Sequence, residues 1–525
     1  MTKIYKSDRE LHDKIRNGIN LLADNVASTL GPRGRNVLIT TSDGAPFITK
    51  DGVTVARAVT VEDPTADAGL QILKQAAVQT CSDAGDGTTT SIVLARAIFN
   101  KAQKYLAADV SPVELKRGID IAVSAIVPKL QEMSSPIKSE EDIAHIATIS
   151  ANGDETIGKL IAKAVDLVGK DGAITIEEAR SVETSLDIVE GFRFDSGYLA
   201  SAFINDDRRG TVRYEEPIVL VTDHKLDTID GFMPVLELAA RESKPLVIVA
   251  DEVEGQLLAA LIMNAMRGTL KVVAVKAPFY GEERRGVLSD LAASVGATLV
   301  TRESGRKFKD MKLADFGQAQ TVEISKYQTC FVGGHGDSEE IDLRVERLKA
   351  AIKETESLRE AEHLQARITR LSSGIAIIKV GGATEPEMIE RKHRIEDALE
   401  AAKAAQDSGI VAGGGVALIR AAQAVDWDSL YENDERSFGG KIVREATRTP
   451  LQQMAKNAGE SPDLILNIVE SDSGSRGYDF SNGESTDMLE RGIIDPVKVT
   501  ISALINAASV SSTLLTVNHA VIEKK

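Results

Sequence analysis

Four short apolar runs begin at Ile218, Leu246, Val272 and Ala297, 25 to 28 residues apart. Helical patterns such as Gly231 to Ala240 and Gly255 to Met266 fill the gaps between them. Strand–helix–strand units of that length predict a compact α/β domain with a mainly parallel sheet. None of the runs is followed by Gly-x-Gly-x-x-Gly, so a dinucleotide-binding fold is poorly supported. This grammar belongs to the middle third only. The first ~130 and last ~115 residues are helix-rich and Ala-heavy, with apolar positions such as Ile15, Ile19, Leu22 and Val26 at helical spacing. Ends that resemble each other around a different middle predict one domain built from both termini, with the middle inserted into it. Gly191 and Gly374 bracket the insertion and are expected to act as hinges.

Smaller features refine this plan. A hairpin is expected near Asn36 to Thr49 and a break at Pro136, after which a helical pattern from Ile143 gives way to a strand at Gly172 to Ile176. Glu339 to Leu371 mixes acids and bases around spaced apolar residues, predicting long antiparallel helices with solvated charged faces. Gly374 to Val380 reads as a strand and Pro386 to Asp407 as a helix. At 525 residues the chain is too long for one core, and about three domains is the expectation. A formal charge of −17 argues against a general nucleic-acid binder and against an anionic membrane surface. Cys81 and Cys330 are too few for a disulfide scaffold and fit a reducing compartment. With no signal peptide, transit peptide or long apolar span recognised, a cytoplasmic location is expected.

The segment with most chemistry in it is Gly85-Asp86-Gly87-Thr88-Thr89-Thr90, because an amphipathic helix follows at once through Leu94, Ile98, Ala102 and Tyr105. A helix N-terminus leaves backbone N–H groups unpaired and carries partial positive charge. Two glycines let a phosphate approach the backbone, three hydroxyls add donors, and Asp86 offers a hard oxygen to Mg²⁺. Three further segments are candidates to complete a nucleotide site: Thr29 to Arg35, Thr49-Lys50-Asp51-Gly52, and Gly413-Gly414-Gly415 before the helix Val416 to Ala422. Asp397 lies off the core face formed by Met388, Ile395, Leu399 and Ala402, and by itself reads as a solvated charge. Gly333-Gly334-His335-Gly336 is expected to be a surface turn.

Taken in order and spacing, Leu30 to Asn36, Thr49 to Val53, Gly85 to Thr90, Val411 to Leu418 and Gly492 to Pro496 resemble the group I (GroEL-type 60 kDa) chaperonins, from about Ile15 to about Asn518. The resemblance implies a multidomain α/β fold. A helix-rich equatorial domain would span 1–133 and 409–525, a small α+β intermediate domain 134–190 and 375–408, and an inserted α/β apical domain 191–374. It further implies a homo-oligomer, a heptameric ring in one or two layers, that hydrolyses ATP and encloses unfolded polypeptide, with a possible GroES-type co-chaperonin. Thr29, Leu30, Gly31, Pro32, Lys50, Asp86, Gly87, Thr88, Thr89 and Thr90 would hold the phosphates, Mg²⁺ and K⁺, with Asp86 the Mg²⁺ ligand. Asp51 and Asp397 would position the attacking water, after closure at hinges near Pro136 and Gly409. Gly414, Asp479, Phe480, Ser481, Ile493 and Asp495 would line the adenosine.

Tyr198, Leu199, Phe203, Met233, Leu236, Leu258, Ile262 and Met263 would form an exposed apolar groove for clients. Some positions depart from the family pattern. Ala202 stands where a tyrosine is frequent, and Phe480 replaces a small residue near the adenine. Gln452 and Ser461 replace an Arg and a Glu that pair between rings, and Val521 to Lys525 stands in place of a Gly-Gly-Met tail. Two rival readings are a passive holdase or ring scaffold whose ATPase has decayed, which the intact Asp51, Asp86 and Asp397 argue against, and a small-molecule kinase using the Gly-Asp-Gly turn, for which no acceptor pocket is indicated.

Overall fold

The computed structural model describes all residues except 1–2, 41–45, 170–172, 180, 356, 373, 432–433 and 524–525. The chain divides into two compact units. One comprises Met1–Asp166, Glu178–Thr184 and Val380–Lys525, and the other Leu167–Glu177 and Ser185–Lys379.

The first unit is mostly helical. Its helix Asp8–Ala27 turns Leu11, Ile15, Ile19, Leu22 and Val26 inward, all essentially buried, as the i, i+4, i+7 spacing requires. That face packs on the helices Pro64–Ala84 and Thr88–Leu106, and the helix Val497–Leu515 packs against both of these. Val497–Leu515 is long and apolar enough to cross a membrane by composition, yet half of it is buried inside this core. Strand Lys3–Ser7 pairs antiparallel with His519–Glu523, in register from Lys3 with Glu523 to Ser7 with His519, so the two ends of the chain are joined in one ladder. The expected hairpin is present, with Val37–Ile39 antiparallel to Phe47–Thr49. The segments near Pro136 and Gly409 are pinned together, since Ser135 and Ile410 exchange backbone hydrogen bonds of 2.9 and 2.8 Å.

The second unit is built on a nine-stranded sheet. Ile218–Val221, Leu246–Ala250 and Val272–Lys276 are parallel neighbours, fully buried except at Lys276, as strands covered on both faces must be. Two expectations change here. The run at Ala297 makes only an isolated parallel bridge, Thr222 with Val300. Beyond Ile218–Val221 the sheet continues antiparallel through Gly317–Ile324, Thr329–Gly334, Ser185–Phe194 and Gly374–Val380. The sheet is therefore mixed, because a short turn rather than a helix joins Gly317–Ile324 to Thr329–Gly334.

Gly191 and Gly374, the expected hinges, do not lie in loops. Both lie inside paired strands, Gly191 opposite Val332 and Gly374 opposite Glu190, and a Cβ on Gly191 would collide with the Ile375 side chain. Gly333 and Gly334 end a strand rather than form a surface turn, and a Cβ on Gly334 would strike the Ser294 carbonyl. The long helices are Ser338–Glu354 and Leu358–Ser372, joined by a small core of Val345, Leu348 and Ile368. Asp290, 1% exposed, ties this pair to the helix Gly281–Val295 by pairing with both Arg344 and Arg367.

Candidate functional site

The helix Thr88–Leu106 starts without a side-chain cap. Its N-cap is Gly87 in the left-handed region at φ 85°, and Ser91 N–H bonds the Gly87 carbonyl at 2.9 Å. The N–H groups of Thr88, Thr89 and Thr90 therefore belong to the open first turn, where an anion is favoured by about 1 kcal/mol or more. Gly85 also has positive φ, 75°, and a Cβ there would collide with Glu400 Cβ. Glycine at 85 thus serves two needs, the turn and the close seating of helix Glu385–Ser408 upon it. Asp397 lies on that helix three residues before Glu400, half-buried.

Thr89 gathers two of the other expected segments. Its hydroxyl is 3.4 Å from that of Thr29, at the end of the first helix. It also fills the space a Cβ on Gly52 would need, so the Asp51–Gly52 step is seated on the same helix start. Asp51 caps its own short helix, accepting from Val53 N–H at 3.1 Å and Thr54 N–H at 2.9 Å. Lys50 donates to the Gly31 carbonyl at 3.1 Å, tying the strand Phe47–Thr49 to the Leu30–Pro32 turn. Antiparallel pairing of Ile410–Ala412 with Ile494–Pro496 brings in the third segment and sets Asp495 beside Gly413.

The electrostatics of this corner are crowded. Asp86 accepts from Gly87 N–H and, at 2.9 Å, from Ser150 Oγ, yet its carboxyl is pushed up by burial and by the nearby Asp51. Asp495 is pushed up to about 7 by burial and by Asp86. Lys50 is pushed down by burial. Carboxylates that cannot all shed their protons comfortably form a place where a dication would be welcome. No cluster of three metal-ligating side chains exists among the described residues. That suits Mg²⁺, which is ordinarily held by one or two carboxylates plus phosphate oxygens rather than by a protein cage.

On the base side the fit is different. The Asp479 carboxylate is occupied by its own turn, accepting from Ser481 N–H at 2.8 Å and Asn482 Nδ2 at 2.9 Å. The Phe480 ring is 5% exposed and packs edge-on to Tyr478 at 5.1 Å, within a core that includes Val416 and Met488. Its ring therefore faces inward, while neighbours such as Leu30 and Ile493 remain partly exposed. A large apolar side chain in a short turn next to a core is drawn into that core.

The expected apolar groove divides in the same way. Phe203, 2% exposed, and Leu236, 9%, belong to the core of the second unit. Tyr198 and Leu199 are half-buried and bridge the outer strand Val272–Lys276, Leu199 N–H donating to the Ala274 carbonyl. Helix Gly255–Met266 buries only Leu257 and Leu261, leaving Leu258 and Ile262 half-buried and Met263 48% exposed. Met233 is 42% exposed, and Met266, which the sequence reading passed over, is 71% exposed.

Three residues outside the expected segments, and Arg33 within one of them, also hold the nucleotide corner together. Ser150 holds Asp86, Glu400 seats Gly85, Arg33 bonds the carbonyls of Phe480 and Ser481, and Asn457 Nδ2 holds the carbonyls of Ala27 and Leu30. Ser150, Glu400 and Asn457 lie in no local motif.

Superposition on solved structures defines the fold. The chain matches the chaperonin gp146 of the bacteriophage EL 2 (Pseudomonas aeruginosa), crystallised in the presence of ATP-BeFx, at a TM-score of 0.69. The match has 22% identity and covers 99% of this chain and 100% of that one. The fold is that of a chaperonin. The TCP-1/cpn60 chaperonin family profile matches residues 22–525, and the chain belongs to that family.

Proposed function

We propose that the protein is an ATP-dependent folding machine, which captures unfolded polypeptides on apical apolar surfaces and encloses them in a ring. The observation that carries this reading is the uncapped start of the Thr88 helix, with Asp86 in its turn and Asp51, Lys50 and Asp495 gathered about it. The solved relative crystallised with an ATP analogue supports the same choice of ligand. The exposed methionines of the second unit support capture of varied clients, since flexible thioethers adapt to many shapes.

In this reading the N–H groups of Thr88 to Thr90 and the Leu30–Pro32 turn hold the phosphates, and Lys50 balances their charge. Asp86 holds Mg²⁺, which when bound neutralises charge on the phosphate oxygens; K⁺ is assigned to the same segments. Asp51 and Asp397 orient a water for in-line attack on the γ-phosphorus. The new bond is water oxygen to phosphorus, the bond to the β-phosphate oxygen breaks, and Asp397 accepts the water proton. Phosphoryl transfer asks the protein for placement and charge neutralisation more than covalent help. Gly414, Asp495, Ile493 and the backbone at Asp479 to Ser481 adjoin the adenosine.

The equatorial (1–133, 409–525), intermediate (134–190, 375–408) and apical (191–374) division, the heptameric ring in one or two layers, a GroES-type partner and a cytoplasmic site of action complete the proposal. Phosphate release from Mg²⁺–ATP by the purified protein is the test. Turnover that vanishes in Asp397→Ala while nucleotide binding persists is expected. Unchanged turnover in that variant removes Asp397 from its role.

A further inference from the structure

The hairpin formed by Arg476–Asp479 and Glu484–Asp487 is held at two points by two arginines of opposite character. At its root, Arg420 is 8% exposed and donates to the carbonyls of Val469 (2.7 Å), Gly474 (3.1 Å) and Arg476 (3.1 Å). At its tip, the exposed Arg33 donates through Nε to the Phe480 carbonyl at 3.3 Å and through Nη2 to the Ser481 carbonyl at 2.9 Å. Within the tip turn Gly483 N–H donates to the Asp479 carbonyl at 2.8 Å, and Arg491 pairs with the Asp479 carboxylate at 3.8 Å. Arg33 belongs to the turn that follows Gly31, whose carbonyl Lys50 holds. One side chain therefore joins the segment assigned to the phosphates to the segment assigned to the base.

We propose that Arg33 is a positioning residue, a latch that holds the hairpin tip closed over the bound nucleotide while Arg420 fixes its root. This rests on the ATP reading above. The latch uses neutral carbonyl acceptors and lies at the surface, so opening it strands no buried charge and water can replace both bonds. The root has no such freedom, because a buried guanidinium must keep its partners. Opening is thus confined to the tip. Two parallel donors to successive carbonyls need a planar fork, which lysine cannot supply.

The test compares Arg33→Ala and Arg33→Lys with the full-length wild-type protein by amide exchange across 478–487 and by release of a fluorescent ADP analogue. Both variants are expected to exchange roughly fivefold or more faster at the tip and to release the analogue faster by a similar factor. They should raise KM for ATP with kcat within about twofold, and leave the thermal midpoint in place. Wild-type exchange and release in Arg33→Lys would assign the effect to charge on the phosphates and overturn the latch. Unaltered exchange in Arg33→Ala overturns it too. If the wild type binds no nucleotide, the ATP reading fails, while the exchange of the free protein still decides whether Arg33 holds the tip.

Discussion

In the unit formed by Met1–Asp166 and Val380–Lys525, the candidate chemistry sits on backbone bent by glycines and aimed by a helix start. In the unit formed around Ser185–Lys379, it sits on ordinary apolar side chains that the fold leaves uncovered. The first kind of surface is costly to alter, since Gly85 has neither the φ nor the space for another residue. The second is expected to tolerate change where it is most exposed, at Met263 and Met266, whereas Phe203 from the same expected groove is core. A site for one small ligand is fixed by geometry, and a surface for many partners by the lack of it.

The sharpest way to break this contrast is Asp397→Ala, expected to lower ATP turnover by about 10²–10⁴-fold with the apolar surface untouched, measured by phosphate release and by binding of a hydrophobic dye. Within the second unit, Phe203→Ala is expected to cost about 3–5 kcal/mol in denaturant unfolding, because the ring fills the core; a loss below about 1 kcal/mol would return Phe203 to the client surface.

Asp495 gives a pH-dependent comparison. Its folded pKa is raised from 3.8 to about 7, so the stability tied to its neutral form is full below about pH 4 and lost as pH rises to about 7. At about 1.4 kcal/mol per unit the effect is at most about 4 kcal/mol, and Asp495→Asn should flatten that part of a stability–pH curve without ligand. The smallest stability effect is expected from Met263→Ser with Met266→Ser. Unfolding should shift by less than about 0.5 kcal/mol, while retention of an unfolded test protein falls several-fold. A large loss of stability there would erase the distinction between the two units.

What could be read from the chain follows the same divide. Gly85 to Thr90 was legible because helix-start chemistry is local: turn glycines, hydroxyls and an apolar stripe lie within twenty residues. The termini-plus-insertion plan was legible from periodicity, and Asp397 gained a role only through resemblance. Ser150, Glu400 and Asn457 were not legible, nor was the reach of Arg33 within its own segment, since each acts on residues 64 to more than 400 positions away or on main-chain carbonyls that have no sequence signal. The run at Ala297 looked like a strand because Leu299 and Val300 are apolar, but sheet membership depends on neighbours, and one bridge is all it finds. Apolar spacing likewise could not separate Phe203 from Met263, because periodicity reports which face a residue takes and not what covers it.

The ladder between Lys3–Ser7 and His519–Glu523 sets a timetable for biosynthesis. A ribosome adding ~5–20 residues per second needs roughly half a minute to two minutes between making the two strands. The Ser185–Lys379 segment is continuous and can reach its final form while translation proceeds. The flanking helices must wait, their first strand unpaired and their core lacking Val497–Leu515, until His519–Glu523 has been made. A protein of a folding family therefore passes through a long, half-built interval of its own, in which its opening segment is the part most in need of shelter.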